Sequence, residues 1–220
     1  MLAEVKSEAL QRLTSTRSVL RLISTYESRL GPINGDDASR SAKGLIIVQN
    51  YAVYEYVVIE SVRALVTNIN TRNLKFISTR AELLAIALDS EFTSVINGAQ
   101  SKTWDGRSNL LKKSRSNDSI IINDGLFPKD GSFFRPDQLR TIWSIFGLPG
   151  LVVPNNRLLG HIEEMVDSRN RIAHGHDAPS KVGSRFNIQE LSKRIDDTEV
   201  VCTHIISTVV ACAASPTAFI

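Results

Sequence analysis

Apolar side chains recur at Val5, Leu10, Leu13, Leu20, Ile23 and Leu30 among polar neighbours. That spacing is close to the helical period and predicts a helix over 3–30. The turn-rich GPINGDD that follows (31–37) predicts its end, and Asp36 or Asp37 is placed to cap the next helix. The second helix runs to about Asn70, with apolar residues over most of its circumference, the pattern of a central bundle helix. Its stretch Gly44–Val66 approaches the composition of a membrane span, yet Gln49, Asn50, Glu55, Glu60 and Arg63 fall inside it. A buried core helix is predicted there instead.

A third helix is predicted at about 79–96 (TRAELLAIALDSEFTSVI). From 97 to about 135 the pattern dissolves into NG, DG, KKSRSND and FPKDG, turn chemistry with no sustained period. An irregular insertion is expected there, with a short strand at Ser119–Asn123. PDQLRTIWSIFG (136–147) reads as a short helix with proline in its first turn. A helix over 156–174 ends at Gly175, GHDAPSKVGSRF forms a loop, and a last helix covers 187–214. The whole is one all-α domain over 1–220, a helical bundle with an irregular insertion in its middle.

The end of the 156–174 helix carries the chain's densest chemistry, DSRNRIAHGHD (167–177), which holds two of its 4 histidines. Residues four apart share a helical face, so Asn170 neighbours His174 and Asp167 neighbours Arg171. Arg169 and His174 are five apart, about 140° around the axis. They converge on one ligand only if the last turn loosens or a second chain contributes. Carbonyls without helical partners surround the Gly175 stop. Histidine titrates near neutral pH, so an imidazole there beside a permanent cation suits proton transfer at a phosphate. The same residues also fit an ordinary charged helix end, with an Asp167–Arg171 ion pair, a solvated Arg169 and His174 as the C-cap.

Composition narrows the setting. Hydrophobic residues make up 42% and charged residues 22% of 220, with a net charge of +3, as in ordinary globular proteins and compatible with a polyanionic partner. Cys202 and Cys212 fall on one helix about 15 Å apart, too far to bridge. The N-terminus lacks the pattern of a secretory signal, so the expected location is cytoplasmic, with no membrane contact. No CxxC, HExxH, GxGxxG, Walker loop or GxSxG is present, so neither metal nor cofactor is expected.

SRNRIAHG resembles the signature of the HEPN family, an arginine, then a polar residue, then a histidine four to six positions after the arginine. Arg169, Asn170 and His174 fill it in this sequence. The early apolar helix containing YEYVVIESVRALV, the late motif and one more helix after AHG fit the RiboL-PSP-like HEPN group. The resemblance implies a helical bundle that dimerises, setting two motifs across a shared cleft. It also implies a metal-independent endoribonuclease in which the ribose 2′-OH attacks its own 3′-phosphate. His174 would move the proton, Arg169 would stabilise the phosphorane, and Asn170 would orient the site or hold a phosphate oxygen. RNA is the implied partner, with a toxin or defence role beside an antitoxin or defence-system protein. A HEPN module that binds nucleotide, RNA or protein without turnover is the alternative.

Other residues support that site or stand apart from it. Arg171 is expected to pair with Asp167 and, after that, to touch RNA. His176 is a loop histidine placed to support the site. Lys112, Lys113 and Arg115, with Lys102 and Arg107, form the densest basic patch, readable as an RNA-guiding loop or a solvated one. Glu60, on the core-facing helix, needs a partner if buried, and Arg169 is the candidate.

Overall fold

The computed structural model describes residues 1–30, 36–127 and 134–220. The turn predicted at 31–37 lies mostly outside these, as does most of FPKDG. Among the described residues there are nine α-helices. The first two are α1 (Leu2–Leu30) and α2 (Asp37–Thr71). Asp36 caps α2 as predicted, its side chain accepting from the Ser39 amide at 2.9 Å and from Tyr26 Oη at 2.6 Å. Tyr26 is on α1, so the cap also fastens α1 to α2. Glu27 adds a second clasp, accepting from Ser39 Oγ at 2.5 Å and pairing with Lys43 Nζ at 3.1 Å.

Most of the apolar sheath predicted around α2 is buried, Leu45 being an exposed exception. Ile46, Tyr51, Tyr54, Val57, Leu65 and Ile69 are enclosed from several sides. Its neighbours are α1, α7 (Arg157–Ala173), α8 (Pro179–Gly183) and α9 (Ile188–Ala214). Asn187 and Glu190 form a reciprocal capping box at the start of α9. Arg157 grips Asp197 with two bonds of 2.6 and 2.7 Å, tying α7 to α9. Among the described residues, α9 is the one helix long and apolar enough to span a membrane, and half of its most apolar window is buried. Cys202 and Cys212 on α9 are both free and buried.

Two close approaches set the position of α8 on α2. A Cβ on Gly44 would lie 2.1 Å from the Pro179 carbonyl oxygen, and one on Gly183 would lie 1.9 Å from that of Arg40. Only glycine lets these backbones meet. The loop expected over 175–186 thus contains a five-residue helix pressed into the central one. Periodicity cannot reveal so short an element.

The single helix expected at 79–96 is two, α3 (Ala81–Ala87) and α4 (Asp89–Asn97), broken at the buried Leu88. The turn-rich middle is more ordered than its composition suggests, since α5 (Thr103–Ser114) occupies part of it. Ser119–Asn123 runs extended but makes one isolated bridge, Lys75 to Ser119, rather than a strand. The Asn70 side chain binds the Ile122 amide at 2.8 Å and its carbonyl at 2.9 Å, which holds that segment to α2. Ile120 and Ile122 are buried while Ile121 is exposed, the alternation that suggested a strand. The helix α6 (Pro136–Phe146) begins with proline at its first turn and ends at Gly147, whose φ is 61°.

Candidate functional site

The motif occupies the C-terminal end of α7. The helix stays regular to Ala173, and the His174 amide donates to the Asn170 carbonyl at 3.0 Å. Gly175, with φ 70°, turns the chain out of the helix. His174, Gly175 and His176 are exposed, and the two imidazole rings lie 6.2 Å apart. Asn170 and His174 thus share a face as expected. The last turn does not loosen, so Arg169 remains five residues back.

Arg169 is half-buried, its guanidinium carbon 5.0 Å from the centre of the Tyr51 ring on α2. Its Nη1 donates to Asn170 Oδ1 at 2.8 Å. The aromatic face beneath and the amide beside it restrict a side chain with several free torsions. The carboxylate expected for Arg169 is elsewhere, because Glu60 pairs with Arg63, one helical turn away on α2. Local geometry won over the distant partner: residues three apart on a helix meet without reorganising anything else. Tyr51, unflagged by the sequence reading, takes the supporting place.

The Asp167–Arg171 pair is likewise replaced. Asp167 binds Arg135 Nη2 at 2.6 Å, and Arg135 also pairs with Glu163, so two turns of α7 are joined to the start of α6. Arg171 turns instead to Asp177, with Nε donating at 2.5 Å. The Asp177 amide donates to the Arg171 carbonyl at 3.1 Å. Side chain and backbone together close the loop that carries His174 and His176.

Asp177, beside the candidate site, is the residue whose part the sequence did not announce. Its carboxylate is 1% exposed and also meets Lys181 Nζ at 2.6 Å and Arg185 Nη2 at 3.4 Å. Arg171 foremost, and Lys181 after it, hold the carboxyl well below the usual carboxylate range. The available signal was the recurrence of charge at 177, 181 and 185, one helical turn apart.

The basic patch is not part of this assembly within one chain. Lys112, Lys113 and Arg115 lie at the C-terminal end of α5. Lys113 pairs with Glu91 on α4 and sits 5.5 Å from the centre of the Phe76 ring, just past the end of α2. Arg169 rests on α2 at Tyr51. From there to Arg72 at the helix end is about 30 Å at 1.5 Å rise per residue. Trp104 stands 76% exposed with Arg107 stacked 5.2 Å from its ring centre.

His204 is half-buried, stacked on Trp143 and bonded through Nε2 to the Leu151 carbonyl at 2.7 Å, a packing role. Among the described residues, no three His, Cys, Asp or Glu side chains are grouped to hold a metal ion.

An all-α bundle with an arginine–asparagine–histidine segment at an exposed helix end is a HEPN-type domain, a class that generally acts on RNA or binds nucleotides. The RiboL-PSP-HEPN family matches residues 14–211, and the chain belongs to that family. Neither a curated protein nor a solved structure matches it.

Proposed function

We propose that the protein is an endoribonuclease of the HEPN type, acting without a metal ion. The ribose 2′-OH attacks the adjacent 3′-phosphate, the bond from phosphorus to the 5′-oxygen breaks, and the products are a 2′,3′-cyclic phosphate and a free 5′-OH. His174 takes or returns the proton. Arg169 places a planar, permanently charged fork against the phosphorane oxygens. Asn170 holds Arg169 and offers its amide N–H groups to a phosphate oxygen.

One observation carries this reading: His174 is exposed on the same face as Asn170, and Asn170 in turn holds the Arg169 guanidinium. Cleavage of a labelled oligoribonucleotide in EDTA tests it, with fragments ending in cyclic phosphate as the expected product.

Arg169 and His174 leave α7 about 140° apart around its axis, with Asn170 between them, and a second copy of the chain lets one cleft draw on both groups. We therefore read the active form as a homodimer with the cleft at its interface. Mixing Arg169→Ala with His174→Ala protein tests this. A site that takes its arginine and histidine from different protomers regains cleavage in the mixed dimer, and a site within one chain does not.

A toxin or defence effector acting on RNA in the cytoplasm, beside an antitoxin or defence-system protein, is the setting that fits such an activity. A non-catalytic module that binds nucleotide, RNA or protein is the second reading. The regular last turn of α7, which leaves Arg169 five residues back from His174, favours it.

A further inference from the structure

The Asp177 cluster has an asymmetry that pairing alone does not require. One carboxylate, 1% exposed, meets three cations whose side chains are 49% (Arg171), 63% (Lys181) and 46% (Arg185) exposed. The negative charge is enclosed and the positive groups face water, so the surface here carries an excess of two positive charges. A cluster serving only to close the loop needs one partner for Asp177. Arg171 already supplies it, through Nε and through the backbone bond from Asp177. Arg171 uses Nε there, while a guanidinium has five N–H donors.

The place of this surface is equally specific. Arg171 lies three residues before His174, one turn down α7, where side chains are about 5–6 Å apart at Cβ. Lys181 and Arg185 lie on and just beyond α8, and the Gly44 and Gly183 contacts fix α8 on α2. The cations therefore cluster around Asp177, with Arg171 one turn from His174, and rest on a rigid support.

We propose that Arg171, Lys181 and Arg185 form a phosphate-binding track that seats single-stranded RNA on the nucleotides flanking the one at His174. Asp177 keeps the three cations converged on the backbone's path. The track rests on the ribonuclease reading for its placement relative to the reacting phosphate, but its binding can be measured without turnover.

The probe is a fluorescein-labelled 2′-O-methyl oligouridine, which lacks the attacking hydroxyl and so reports binding alone. Its affinity is followed by anisotropy between about 50 and 200 mM KCl. Wild type is compared with Lys181→Gln/Arg185→Gln, and with Lys6→Gln/Arg21→Gln, which removes the same charge from exposed positions on α1. The track predicts a roughly tenfold loss for the first pair and a salt slope shallower by about 1.4, two contacts at about 0.7 each. The α1 pair should stay within about twofold of wild type. An equal loss in both pairs, an unchanged slope, or no binding by wild type overturns the proposal. If the first pair fails to fold by circular dichroism, Lys181→Gln alone is read the same way, with half the slope change.

A cleavable RNA of the same sequence separates the two readings. If wild type binds through the track yet never cuts, the ribonuclease reading falls and the track stands. If wild type cuts and the first pair cuts with unchanged KM, the track falls and the ribonuclease reading stands.

Discussion

Arg169 lies over the Tyr51 ring at 5.0 Å while donating to Asn170 at 2.8 Å, so its guanidinium is held by an aromatic face and by a hydrogen bond. A lysine can occupy the volume above the ring but offers a point charge in place of a planar fork. Arg169→Lys is expected to lower kcat by about 10²–10³-fold, the range seen when one donor to a developing oxyanion is lost. Its melting temperature should stay close to wild type, because a half-buried cation is exchanged for another. Single-turnover cleavage beside a thermal melt checks both.

The junction of α2 with α8 gives a prediction at a distance from the chemistry. Gly44→Ala drives a methyl group into the Pro179 carbonyl, where it would stand at 2.1 Å, so the two helices must separate. Overpacking of this kind costs about 1–3 kcal/mol. Because α8 carries Lys181, the displacement also disturbs the Asp177 cluster. Gly160→Ala on α7 is the contrasting change, since nothing lies within 4 Å of the new methyl group. It should stabilise by about 0.5–1 kcal/mol through helix propensity. Urea unfolding of both variants tests the opposite signs.

The main helices, and the place of the arginine–asparagine–histidine segment at the end of one of them, were legible because long amphipathic runs and that segment's spacing are local signals. Asp36 could be named as a cap from its place before an apolar run, and Gly175 as a stop from its place after one. What stayed hidden was which charge meets which. Arg171 had Asp167 one turn behind it and Asp177 beyond the helix end, and only the folded path of residues 174–178 decides between them. Glu60 shows the reverse: a distant partner was expected where Arg63, three residues on, was enough. The helix α8 was invisible because five residues carry no period, and its anchoring depends on glycines in two separate segments.

Asp177 should make the loop acid-sensitive. Its carboxyl is held below the ordinary value by Arg171 and Lys181, so the folded state binds its proton less readily than the unfolded chain does. Its stabilising contribution is fully present above the unfolded pKa, about 3.9, and is lost as pH falls through and below that value. The gap in melting temperature between wild type and Asp177→Asn should therefore be constant from about pH 8 to pH 5 and narrow progressively below about pH 4. A gap that widens on acidification would contradict the arrangement.

His161 works the same way in a higher window. It is buried and bonded through Nε2 to Thr198 Oγ1 at 3.0 Å, and burial pushes its pKa below the ordinary histidine value. The unfolded chain takes up this proton near pH 6.5 while the folded chain resists, so stability is present above that pH and falls below it. Replacing it by glutamine, His161→Gln, should flatten the decline in melting temperature between about pH 7 and pH 5.

The most direct measurement concerns His174. Wild type and His174→Ala, purified alike, are incubated in EDTA with end-labelled RNA, and the fragment ends are analysed. The histidine is exposed and makes no packing contribution to the core, so the variant should fold with a melting temperature close to wild type. Fragments ending in 2′,3′-cyclic phosphate from wild type alone are the predicted result. Equal cleavage by both proteins, or none by wild type across single-stranded substrates, would contradict the assignment of this helix end as a ribonuclease site.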